Sequence, residues 1–124
     1  MQELHPPHSR MRISQSQRLF DMELIKKLSQ MIDEELNDAD KYIDCALKHK
    51  DERPALARVF SELSAAEMEH QRMLHDAVVQ VITEYRNTHG EPPANMQAIY
   101  EYTHGQQIDK ATKVKLKQAM FREI

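Results

Sequence analysis

The sequence predicts an all-α protein, built as a long antiparallel helical hairpin followed by a third helix. Three observations support this fold class. Apolar side chains recur with the 3.6-residue period of an α-helix through most of the chain. Glycine and proline are rare, with 2 and 5 among 124 residues, and they fall mainly outside the periodic stretches. No stretch shows the two-residue alternation of a strand. A chain of this length has room for one modest core, so we expect a single domain.

The first helix is predicted over residues 16–50. It follows residues 1–15, which contain Pro6 and Pro7 and lack periodicity, so we expect a flexible N-terminal arm there. The periodic apolar residues of the helix are Leu24, Ile25, Leu28, Met31, Ile32, Leu36, Ala39, Tyr42, Ile43, Ala46 and Leu47. A short turn at residues 51–54 ends with Pro54, which suits the first turn of another helix. So short a turn predicts that the two helices are antiparallel neighbours.

The second helix is predicted to end at residue 89, because Gly90 is a typical residue to follow a helix. Its periodic residues are Leu56, Val59, Phe60, Leu63, Ala66, Met73, Leu74, Ala77, Val78, Val81, Ile82 and Tyr85. After Pro92 a third helix is predicted over residues 93–122, and Gly105 favours one bent helix there over two separate ones. Residues 16–124 then form one helical domain, with the hairpin at 16–89.

Three long helices with extended apolar stripes bury those stripes poorly in a monomer. Four-helix bundles are the usual solution, and here a second chain would complete the bundle. We therefore expect a homo-oligomer, either a dimer or a ring of dimers.

Composition and charge narrow the functional classes. The formal net charge of −3 is spread over interspersed acidic and basic residues, which disfavours nucleic-acid binding. No window is apolar and long enough for a membrane span, and the N-terminus lacks the apolar segment of a secretory signal. A single cysteine, Cys45, cannot form an intrachain disulfide, which suits a reducing compartment. We expect a cytoplasmic protein that binds neither nucleic acid nor membranes.

Three polar residues occupy positions where the helical period predicts core side chains. Glu67 and His70 lie one turn apart on the stripe that carries Leu63 and Leu74, and Glu35 lies on the matching stripe of the first helix. Counting outward from the turn, residue 35 is opposite residues near 68 or 69, so all three should meet at one level. Burying an unpaired carboxylate costs several kcal/mol, so a cation is expected between them.

Two alternatives need no metal ion. Glu35 could pair with a lysine or arginine, and His70 could be a core histidine with ordinary hydrogen bonds. The Glu-x-x-His spacing alone is weak evidence, since Glu101 and His104 repeat it. That second pair is expected to lie on the order of 15 Å from the first, and at most to form a peripheral or intersubunit site. The remaining histidines have no convincing spacing partner: His5, His8, His49, His75 and His89.

The run DEELNDADKY at residues 33–42, followed by EMEH at 67–70, resembles the ferritin-like superfamily, most closely the short encapsulated ferritins. The resemblance covers about residues 20–85. It implies that Glu35, Glu67 and His70 are metal ligands and also catalytic residues, and that Tyr42 lies beside them. It also implies a di-iron site at a dimer interface that oxidises Fe(II) with dioxygen. Carboxylate and imidazole donors suit iron, and also manganese.

The chain departs from that family at several places, which include Lys41 where the family has an aromatic residue and a loop between the helices that is about two residues longer. Asn37 replaces an acidic residue that the family has near its iron entrance, and residues 114–124 do not resemble the peptide that docks such proteins to an encapsulin shell. The third helix instead resembles small uncharacterised helical proteins of bacterial and prophage genomes. The alternative function is therefore a non-enzymatic interaction protein, such as a phage-associated accessory protein, that has kept the hairpin without catalysis.

Overall fold

The computed structural model describes residues 15–123, and the predicted N-terminal arm lies almost wholly outside that range. The described chain consists of α1 (Gln15–His49), α2 (Pro54–His89) and α3 (Ala94–Glu123). The all-α prediction is confirmed, and α3 continues without interruption through Gly105. The division of the chain into an arm and one domain stays a prediction.

The ends of α2 follow from local chemistry. Pro54 occupies the first turn, where its missing N–H costs no helical hydrogen bond. Gly90 closes the helix at a φ of 82°, a conformation that favours glycine, and its N–H donates to the Arg86 carbonyl at 3.0 Å. The prediction that Gly90 ends this helix is correct.

Helix α3 runs alongside α1 and parallel to it. The Gln107 side chain donates hydrogen bonds to the Ser29 carbonyl at 3.1 Å and to the Ser29 hydroxyl at 3.0 Å. Further along both helices, the Lys117 ammonium lies 2.8 Å from an Asp40 oxygen and 2.9 Å from an Asp44 oxygen. Because the partners on α1 advance together with the position on α3, the two helices point the same way.

The core lies along the side of α1 that faces α2 and α3. Its buried apolar members are Ile32, Leu36, Ala39, Ile43, Ala46, Met68, Val78 and Val114. Ser64 is fully buried among them, where its hydroxyl donates to the Ala39 carbonyl at 2.8 Å and accepts from the Gln118 amide at 2.9 Å. This hydroxyl therefore links all three helices in the middle of the core.

The opposite side of the hairpin carries exposed apolar side chains. We call this surface the hairpin face and define it by Met31, Leu56, Val59, Leu63 and Met73. Sequence periodicity assigned these residues to apolar stripes that one chain buries poorly, and residues 15–123 leave them exposed. The reason is that α3 packs on the other side of α1, so nothing in residues 15–123 covers the hairpin face. No helix in the described part of the chain is long and apolar enough to cross a membrane.

Candidate metal centre

The hairpin brings Glu35 of α1 together with Glu67 and His70 of α2. The Nδ1 atom of His70 lies 2.8 Å from a Glu67 oxygen and 3.7 Å from a Glu35 oxygen. One donor atom from each of the three side chains falls within 4.8 Å of the other two. Donor atoms this close can bind a single ion after small side-chain rotations.

Helix geometry explains the convergence. Glu67 and His70 are separated by three residues, which places them one turn apart on neighbouring parts of the same face. The antiparallel hairpin then sets Glu35 level with them, as counting from the turn predicts. The predicted meeting of the three side chains is therefore observed, while their roles as ligands and catalytic residues remain predictions.

The three side chains differ in exposure. The side chains of Glu35 and Glu67 are 21% and 16% exposed, whereas that of His70 is 56% exposed. The expectation that all three are buried at a seam between two chains stays a prediction for His70, whose ring lies on the hairpin face that residues 15–123 leave uncovered. The two carboxylates are nevertheless largely shielded from water.

In the described part of the chain, these carboxylates have no lysine or arginine partner. Within residues 15–123, the ion pairs of Glu35 and Glu67 involve His70 alone. This counts against the alternative in which Glu35 pairs with a basic side chain. Two shielded carboxylates beside one imidazole leave negative charge that a metal cation can neutralise.

Burial raises the pKa of Glu35 above its ordinary value, and the charge of Glu67 raises it further, while the charge of His70 opposes this. The ionised form of Glu35 is therefore disfavoured in the metal-free protein. A bound cation would reverse this effect, since it attracts the ionised form. Burial without a basic partner is typical of residues kept for binding rather than for stability.

Tyr42 lies two helical turns from Glu35 on the same side of α1. Its ring stacks on Phe60 with centroids 6.3 Å apart, and Phe60 in turn stacks on His49 at 6.2 Å. In the described chain, Tyr42 therefore makes an aromatic contact with α2 across the hairpin. Its predicted place beside the metal ligands stays a prediction.

The second Glu-x-x-His pair lies elsewhere. Glu101 is exposed, and His104 faces His75 of α2, with ring centroids 4.9 Å apart. Neither Glu101 nor His104 joins the cluster of Glu35. No spacing pattern pointed to the contact between His75 and His104, because the position of α3 against α2 depends on how α3 packs along α1.

Comparison with known proteins identifies the family. A family model described as Rubrerythrin matches residues 26–124. The chain belongs to the rubrerythrin family. The match includes α3 as well as the hairpin, and it confirms the resemblance to the ferritin-like superfamily. Domains of this family typically bind iron. A search of curated proteins and a search of solved structures found no match.

The donor set of the cluster fits iron. Carboxylate oxygens and an imidazole nitrogen are the ligands that ferritin-like proteins use for paired iron ions, with the carboxylates and the Glu-x-x-His histidine projecting from neighbouring helices. Glu35, Glu67 and His70 supply that combination, with donor atoms within 4.8 Å of one another.

Proposed function

We propose that this rubrerythrin-family protein binds iron at Glu35, Glu67 and His70, and that it oxidises Fe(II) with dioxygen at a site shared by two chains. One observation carries the proposal. Two shielded carboxylates and an imidazole converge on one face of the hairpin without a basic partner in the described chain. The family's typical iron binding supports iron as the ion.

The donor count supports a site built by two chains. A complete di-iron site of this kind uses a glutamate from each of two helices and a Glu-x-x-His from each of two others. One hairpin supplies one glutamate and one Glu-x-x-His, which is half of that set. A two-fold dimer presents every residue of its interface twice, so it would supply the other half.

The hairpin face supports the same arrangement. His70 is more than half exposed, and the apolar side chains of Val59, Leu63 and Met73 lie exposed on the same helix. A second hairpin packed here would cover the imidazole and shield the ions from water. Burial of those apolar side chains would provide the free energy of association.

The side chains have separate tasks. Glu35 and Glu67 would hold and partly neutralise the ions, and His70 would donate its Nδ1 lone pair. This requires the proton of the hydrogen bond between Nδ1 and the Glu67 carboxylate to leave Nδ1, and Nε2 is a second nitrogen of the same ring that can carry it. Paired Fe(II) supplies two electrons to dioxygen, giving two Fe(III) and, with two protons, hydrogen peroxide. Manganese suits the same donors and is the alternative metal.

Iron loading tests the proposal. The purified protein is given Fe(II) without oxygen, desalted and analysed for iron, and Fe(II) oxidation is followed after oxygen is admitted. We expect about one iron per chain, which Glu67→Gln and His70→Gln should each abolish together with rapid oxidation. The control is Glu69→Gln, a change at an exposed glutamate on the same helix that pairs with Arg72, and it should retain iron. Absence of iron from the parent protein, or retention in both site variants, would refute the proposal.

The exposed hairpin face also favours a second candidate, a non-catalytic protein that binds a helical partner through this surface. The same measurement separates the two functions. A parent protein that stays dimeric but takes up no iron would support the interaction protein.

A further inference from the structure

Two imidazoles face each other between α2 and α3. The ring centroids of His75 and His104 are 4.9 Å apart, and both side chains are half-buried. His75 lies about 140° around α2 from His70 and about 80° from Glu67, and about 12 Å along the helix from Glu67. The two histidines therefore belong to a different surface of the helix and cannot serve the iron cluster.

The separation of the rings is suited to a shared metal ion. A metal–nitrogen bond of about 2.0–2.1 Å places an ion roughly 3.2 Å from the centroid of a bound imidazole. Two imidazoles bound to one ion at an angle of about 90–110° then have centroids about 4.5–5.2 Å apart. The observed 4.9 Å lies in this range. The ring planes are inclined by 22° to each other, so each ring would have to turn about its Cβ–Cγ bond to direct a nitrogen at a shared ion.

The nitrogens of both rings are available. Within residues 15–123, neither His75 nor His104 forms a hydrogen bond or an ion pair, and their recorded contacts are ring stacking and electrostatic interactions. Burial lowers the pKa of His104, with a smaller contribution from His75, so the His104 ring stays neutral at pH 7. Neutral imidazole is the form that binds metals.

Tyr100 fixes the position of His104. The two rings are nearly parallel, with centroids 5.6 Å apart and an interplanar angle of 7°. This packing restricts the tilt of the imidazole while His75 lies against it as well.

The surroundings favour a cation that prefers nitrogen donors. A groove of about 210 Å³ beside the two rings offers room for water ligands, and no carboxylate lines it. Of its two basic residues, Arg72 is already paired with Glu69 and Asp76 at 2.6 and 2.8 Å. The other, Lys115, is exposed, so its ammonium group is solvated. Imidazole donors without carboxylates suit Zn²⁺, Ni²⁺ and Cu²⁺ better than manganese.

We propose that His75 and His104 form a second metal site, which binds Zn²⁺ or a similar divalent cation and fastens α3 to α2. The site shares no residue with the iron cluster, and its protein donors are imidazoles without carboxylates. Its ion would stabilise the docked position of α3, because it bonds to both helices and would bind the detached state more weakly.

Zinc binding to the full-length chain tests this proposal. The background protein carries His70→Gln, which weakens the iron cluster, and His5→Gln with His8→Gln, since those histidines lie outside the described residues. Equilibrium dialysis against Zn²⁺ should show about one zinc per chain. Adding His75→Gln or His104→Gln should weaken binding by on the order of tenfold or more, as expected when a ligand is removed.

The control is His49→Gln, which removes an imidazole that stacks on Phe60 near the end of α1 and should leave zinc affinity unchanged. Circular dichroism verifies that each variant is folded. A second measurement is thermal unfolding, in which zinc should raise the midpoint of the background protein but not that of the His104→Gln variant. The proposal is overturned if the background binds no zinc, or if only one of the two substitutions weakens binding.

Discussion

Substitution of Leu63 by glutamate tests whether the hairpin face joins two chains. Leu63, Val59 and Met73 are 39%, 50% and 57% exposed on the helix that carries Glu67 and His70. Full burial of one such side chain stabilises by about 1.5–3 kcal/mol, and the exposed fractions amount to roughly one and a half side chains. Covering them is worth about 3 kcal/mol per chain, or about 6 kcal/mol in a symmetric dimer.

The variant Leu63→Glu removes about 1 kcal/mol of this apolar burial per chain and adds a carboxylate close to Glu67. Burying that charge costs further free energy, and the two-fold axis repeats both effects. We expect the free energy of association to become less favourable by at least about 4 kcal/mol per dimer, which raises the dissociation constant about 1,000-fold. Sedimentation velocity over a concentration series measures the dissociation constant, and iron uptake should fall with the dimer.

The matched control is Leu116→Glu, which makes the same change at an exposed leucine of α3. It should leave both dimerisation and iron uptake unchanged. If Leu63→Glu dimerises as tightly as the parent protein, or if the iron-loaded parent is a monomer, then the hairpin face does not assemble the site.

Two further predictions concern stability. Burial and a neighbouring carboxylate raise the pKa of Glu35 above 4.5, so its ionised form destabilises the metal-free fold and stability should decline as the pH rises through the raised pKa. Glu35→Gln should therefore raise the unfolding temperature of the metal-free protein at pH 7 while abolishing iron binding; a lower unfolding temperature would contradict this. Ser64→Ala should lower the free energy of unfolding by about 1–3 kcal/mol, because it leaves the buried Ala39 carbonyl without its hydroxyl donor. Urea unfolding measures the change, and Ser61→Ala, at a half-buried position, should stay within about 0.5 kcal/mol of the parent.

The positions of the helices, and the height along the hairpin at which the candidate site lies, were predictable because they depend on the regular geometry of the α-helix. Hydrophobic spacing and the residues Pro54 and Gly90 define where helices begin and end. The rise of 1.5 Å per residue from a short turn then places Glu35 opposite Glu67. Both steps use only residues that are near in sequence or joined by one tight turn.

Exposure was not predictable in the same way. The helical period on α2 applies equally to Val78, which is buried in the core, and to Leu63, which is exposed. The difference depends on which side of the hairpin α3 covers. That choice follows from polar links such as Gln107 with Ser29, which join residues far apart in the sequence.

The sequence by itself determined the helical class, the helix bounds and the three residues of the candidate iron cluster. The tertiary structure decided that the cluster lies on an uncovered face, and that His75 meets His104 across two helices. The physical reason is that a helical period states which side chains share a face, whereas the partner of that face depends on long-range packing. A short turn at residues 90–93 joins α2 to α3, but the direction of α3 after that turn depends on its packing along α1, as between Gln107 and Ser29. No local pattern in the sequence states that packing.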